Sequence, residues 1–103
     1  MNASAAQPVA REREAAMLAR CVTVARDGDR TARGQQEAHA FWMAAHVIEG
    51  RRPAEAARLL AASERYFGDH PAERLSGAEA IRRGWVSGLP RLRDMLMREL
   101  EGK

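Results

Sequence analysis

The chain is short of several things at once, and each shortage removes a class of protein. A single cysteine, Cys21, stands in 103 residues, so no disulfide can form within the chain, and its apolar helical setting marks a small core residue rather than a nucleophile. Aromatic side chains are scarce: two Phe, two Trp and one Tyr must anchor whatever core exists. β-Branched residues are few and no alternating apolar run occurs, which argues against a sheet-based fold. Lysine is almost absent, since 16 of the 17 basic residues are Arg and Lys103 is the other. No apolar run reaches the length of a signal peptide or a membrane span, so no membrane association and a cytoplasmic location are expected.

What remains is rich in Ala, Arg, Glu and Leu, all strong helix formers. The fold class expected is all-α: a compact single-domain bundle of four main helices plus one or two short helical turns. Residues 1–7, small and polar, are expected to be a disordered N-terminal tail, and residues 8–103 one helical domain.

Residues 34–50 organise the rest. Ala38, Phe41, Trp42, Ala45 and Ile48 recur at helical spacing, Glu37 lies where the helix dipole welcomes a carboxylate, and Gly50 can turn left-handed to stop the helix. The adjacent pair Phe41 and Trp42 should lie hidden at the centre. Before it, a helix from Pro8 to Arg26 should bury Met17, Leu18, Cys21, Val22 and Ala25. After it, Pro53 should start a third helix in a tight hairpin, with Ala56, Leu59, Leu60, Ser63 and Phe67 inward and Gly68 as its stop. Asp69 and the S-x-x-E box of Ser76 and Glu79 signal two short helical starts, the second stopped by Gly84. Pro90 should open the last helix, with Leu89, Leu92, Met95, Leu96 and Leu100 inward.

Chemistry-bearing spacings are weak. His39 and His46 are two turns apart, about 10.5 Å at the helical rise per residue, too far to share a metal directly, and neither CxxC nor HExxH occurs. Glu37, His39, His46 and Glu49 have the groups for acid–base work but flank an apolar face as solubilising residues do. No serine sits in a nucleophile elbow. No enzyme activity, metal or cofactor is therefore expected.

Two local resemblances occur. Residues 54–60, AEAARLL, resemble the first helix of the helix-turn-helix in MerR-like and excisionase-like regulators, which implies DNA contact through Arg65 and Tyr66. Ala61, Ala62 and Ser63 stand where the glycine-containing turn belongs, which favours one continuous helix. Residues 75–86, LSGAEAIRRGWV, resemble a short helix–glycine–strand segment of crotonases. That likeness covers 12 of 103 residues and implies nothing further for a chain too short for that fold.

The surface feature that stands out is residues 80–93, where Arg82, Arg83, Arg91 and Arg93 occur with Trp85 and no acidic residue. Arginines beside an aromatic make interface hot spots or grip phosphates. The function expected is a small interaction protein (an adaptor, small subunit or inhibitor) that meets a larger protein through Arg82, Arg83, Trp85, Arg91 and Arg93, with Arg51 and Arg52 adjoining. The alternative is a nucleic-acid-binding regulator using Arg58, Arg65, Tyr66, Arg82 and Arg83, although the net charge of +3 is modest for that role. A homodimer is a further expected way to complete burial.

Overall fold

A computed structural model describes residues 3–85 and 89–102. Its elements are α1 (Ala3–Asp27), α2 (Gln35–Ile48), α3 (Pro53–Asp69), a single 3-10 turn (Pro71–Glu73), α4 (Gly77–Arg82) and α5 (Leu89–Glu101), and no strand occurs among the described residues. The all-α bundle of four main helices with two short extra turns is the architecture observed. No helix among the described residues is long and apolar enough to cross a membrane.

α2 is the hub: α1, α3, α4 and α5 all pack on it, α3 most extensively. The reason lies in its composition. Ala38, Ala40, Ala44 and Ala45 let neighbouring backbones approach closely, while Phe41 and Ile48 fill the space between them, and all six are buried. Leu59 and Phe67 enter from α3, Cys21, Val24 and Ala25 from α1, and Leu92, Leu96, Met97 and Leu100 from α5. Each fully buried large side chain contributes about 1.5–3 kcal/mol relative to exposure.

The hairpin between α2 and α3 follows from local chemistry. Arg51 and Arg52 N–H groups both donate to the Ile48 carbonyl, at 3.1 and 2.8 Å, and Pro53 then occupies the first turn of α3, where its missing N–H costs nothing. Ser63 closes the far end by donating its hydroxyl to the Ala38 carbonyl at 2.8 Å, so the one buried hydroxyl on α3 is satisfied across the helix pair. α1 is tied to α3 by Arg58, which donates to the Ala25 carbonyl at 2.9 Å, and to α2 by the Arg20–Glu37 ion pair at 3.1 Å.

Several expectations are corrected. α1 begins at Ala3 rather than Pro8, so residues 3–7 are helical; Ala and Gln there are good helix formers. α3 continues through Gly68 to Asp69 because the His70 N–H still reaches the Tyr66 carbonyl at 2.9 Å. Leu60, expected inward, is 38% exposed, one position off the line of Ala56, Leu59, Ser63 and Phe67. Phe41 is fully buried but Trp42 only half so: it packs against the edge of the core, with its ring against His46 and close to Gly77. A Cβ on Gly77 would stand 2.9 Å from that ring and 3.1 Å from the Met43 methyl, so glycine is what allows α4 to sit this close to α2. The link expected at residues 86–88 and the inward side chain expected at Leu89 lie outside the described part.

Candidate functional site

The sequence singled out the arginine and tryptophan residues between α4 and α5, and local geometry explains how they are held. Ser76 caps α4, accepting the Glu79 N–H on its hydroxyl at 3.1 Å. Glu79 does not reciprocate toward the cap. Its carboxylate takes Arg82 at 2.5 Å and Arg83 at 2.7 Å, three and four residues on, and these hydrogen bonds, Arg82's first, hold it below the usual carboxylate range. At the other end Gly84 adopts φ +77°, and the Gly84 and Trp85 N–H groups return to the Ile81 and Ala80 carbonyls at 2.9 and 3.1 Å, a Schellman closure that requires a residue free of Cβ strain. That closure aims Trp85 inward, half-buried, with its ring centroid 5.4 Å from His39 and the Arg83 guanidinium 5.4 Å from its own centroid.

His39 is the polar group on which this corner turns, and it is buried. Its Nδ1 donates to the Gln35 carbonyl at 2.9 Å, one turn back on α2, and its Nε2 accepts the Leu75 N–H at 2.8 Å. Phe67 packs edge-on to the ring at 4.8 Å. One imidazole therefore pins the segment between α3 and α4 to the hub, and Tyr66 reinforces the pin by donating its hydroxyl to Glu73. Nothing in the 3.6-residue pattern of α2 separates His39 from His46, which is exposed and stands 3.9 Å from Glu49. The burial of His39 comes from a segment 36 residues away.

Beside Trp85 an open groove of about 950 Å³ runs between α1, the start of α2 and the approach to α5. Met17, Leu18, Leu92 and Met95 line it together with Trp85, while Arg13, Arg33 and Arg83 stand at its rim. Arg91 reaches it indirectly, through an ion pair with Glu14 at 2.9 Å. The other expected contact residues are elsewhere. Arg93 and Arg51 share a smaller hollow of about 400 Å³ between α2 and α5, paired with Asp94 at 3.6 Å and Glu101 at 3.1 Å. Arg52 pairs with Glu55 at 2.7 Å on α3. The expected residues thus fall in three places: beside the groove, in the smaller hollow, and at the start of α3.

Of the residues of the nucleic-acid alternative, Arg82 and Arg83 are the exposed pair already described, while Arg58, Arg65 and Tyr66 each bond to a group of their own chain. α3 is one uninterrupted helix, so no helix-turn-helix exists within residues 53–67. Arg58 is held by Ala25, Arg65 donates to the Arg30 carbonyl, and Tyr66 stacks on His70 at 4.2 Å while bonding Glu73, which pushes its phenol above the ordinary range. Among the described residues no three of His, Cys, Asp and Glu gather as a metal site. Glu37, considered for acid–base work, is held between Arg20 and the Arg33 N–H at 3.1 and 2.8 Å.

Cys21 lies against this groove but is fully buried, and desolvation, with Glu37 acting in the same direction, pushes its thiol up to about 12. It keeps its proton throughout the range in which a free cysteine ionises, and the thiolate is the reactive form. At pH 8 a disulfide reagent should leave the folded protein unlabelled and label one thiol per chain once denaturant unfolds it. Rapid labelling of the folded protein would show the groove wall to be open at Cys21.

No protein-family model, curated protein or solved structure matches this chain.

Proposed function

We propose that this is a small cytoplasmic helical interaction protein, an adaptor, small subunit or inhibitor, that binds a larger protein through Arg82, Arg83, Trp85 and Arg91. The observation that carries the reading is the placement of Trp85: a half-buried aromatic, fixed by a Schellman closure and flanked by an arginine, at the edge of an open groove with methionine and leucine on its wall. Interface hot spots combine an aromatic or arginine anchor with an apolar recess and a polar rim. Arg51 and Arg93, in the second hollow, would extend the contact only for a partner large enough to reach around α5.

Changing Arg82, Arg83 and Arg91 to Glu should abolish capture of a cellular partner, read by pull-down and mass spectrometry. Helicity and thermal unfolding should hold nearly constant, because the lost ion pairs are exposed and exposed pairs contribute about 0–1 kcal/mol. The same three positions changed to Gln remove the charge without repelling Glu79 and Glu14, and should weaken capture with still less effect on folding. Unimpaired capture by both variants would refute the surface. Binding of duplex or single-stranded DNA at low ionic strength, where phosphate neutralisation is strongest, would favour the nucleic-acid reading instead.

A further inference from the structure

We infer that the groove between α1, α2 and α5 receives an acidic amphipathic helix of the partner, with Arg13 and Arg33 as the residues that read its carboxylates. The inference rests on the protein-binding reading above and adds the chemistry of the bound segment.

The charge on the groove walls points to the occupant. Four arginines, Arg13, Arg20, Arg33 and Arg83, stand against two carboxylates, Glu14 and Glu37. Both carboxylates are already engaged: Glu37 holds Arg20 in a pair whose side chains are only 12% and 14% exposed, and Glu14 holds Arg91. Arg13 and Arg33 are exposed, and neither has an ion-pair or side-chain hydrogen-bond partner among the described residues. The wall therefore presents two uncommitted guanidiniums, and an occupant with carboxylates complements it where a cationic one does not. The lining is mixed, and its apolar part includes the adaptable side chains of Met17 and Met95, which suit side chains of varied shape.

The shape selects a helix over a small molecule. Small-ligand sites enclose most of their ligand, whereas this hollow is partly open to solvent and is lined from α1, α2 and α5. Helix-in-groove recognition places apolar anchors at i, i+3, i+4 and i+7 in such a trough and leaves flanking charges at the rim. Arg13 lies on α1 and Arg33 just before α2, so the two cations come from different elements. Neither was legible as a site residue: Arg13 belongs to an alternating charged run within α1, and Arg33 to a loop.

The test uses the full chain and fluorescein-labelled synthetic helical peptides of roughly 15 residues, with leucine at the four anchor positions and either Glu or Lys on the flanks. Anisotropy at low salt should show the Glu peptide binding at least about tenfold more tightly than the Lys peptide, a difference that shrinks as salt screens the rim. The R13E/R33E variant should melt as the parent does and lose about tenfold or more in affinity for the Glu peptide. Equal binding of the two peptides, or unchanged affinity in R13E/R33E, would overturn the inference, as would displacement of the Glu peptide by a single-stranded DNA oligonucleotide that binds more tightly. Those failures leave the contact surface of Arg82, Arg83 and Arg91 standing if its Glu variant still loses partner capture. Retained capture in that variant removes the underlying reading, whatever the peptides do.

Discussion

Phe41→Ala should lower the stability of the bundle by about 3–5 kcal/mol, the range for removing a buried phenyl ring from a packed core. Phe41 is fully buried on the helix that every other α-helix packs against, and Cys21, Val24 and Leu59 are fully buried in the same cluster. The Arg20 guanidinium, 5.8 Å from the ring centroid, loses a favourable face at the same time. Those neighbours are held by α1 and α3, each with its own ties to the rest, so the cavity cannot collapse cheaply. For a domain of this size each kcal/mol corresponds to about 4–8 °C in Tm, so the melt should fall by on the order of 15 °C or more. Phe41→Leu keeps most of the volume and should cost about 1–2 kcal/mol. A Phe41→Ala variant that melts within a few degrees of the parent would mean that the hub is elsewhere.

His39→Leu should be the second largest effect, at roughly 2–3 kcal/mol, and its damage should be local. The replacement preserves apolar volume but removes the acceptor for the Leu75 N–H and the donor to the Gln35 carbonyl. Leaving one buried donor unsatisfied costs about 1–3 kcal/mol, and the edge-on contact with Phe67 adds to that. Hydrogen exchange at the Leu75 amide should accelerate, and Trp85, 5.4 Å from the imidazole, should change its emission as the segment before α4 loosens. His39→Gln can still offer an oxygen to Leu75 and should recover part of both signals. Unchanged protection at Leu75 in His39→Leu would show that the latch is not what holds this segment.

These two residues also mark how far the sequence could be read. Phe41 was legible because Ala38, Phe41, Ala45 and Ile48 repeat at helical spacing, and the hairpin was legible because Pro53 follows Gly50 so closely. Trp42 was misplaced for a physical reason: α2 is covered on several sides, so its buried set is set by which neighbours arrive and not by one stripe. His39 was hidden for the same reason. Its partners, Leu75 and Trp85, come from segments joined to α2 only in three dimensions. The arginine-rich stretch carried a different lesson. Residues 80–93 hold no acidic residue, yet Glu79 lies one position before them, three and four residues from Arg82 and Arg83, where helical pairing is strongest. The ion pairs of Arg20 with Glu37 and of Arg91 with Glu14 join different helices, and no local spacing signals them.

Under the proposed function, stability and recognition rest on different residues: an interior gathered on Phe41, and an exterior of arginines around Trp85. The measurement that tests this separation most directly is a pair of thermal melts followed by circular dichroism, Phe41→Ala beside the variant with Glu at positions 82, 83 and 91. The account predicts a large drop for the first and a melt within about 1 kcal/mol of the parent for the second, since its lost ion pairs are exposed. A surface variant that unfolds as early as Phe41→Ala would contradict it, because those arginines would then be holding the fold together.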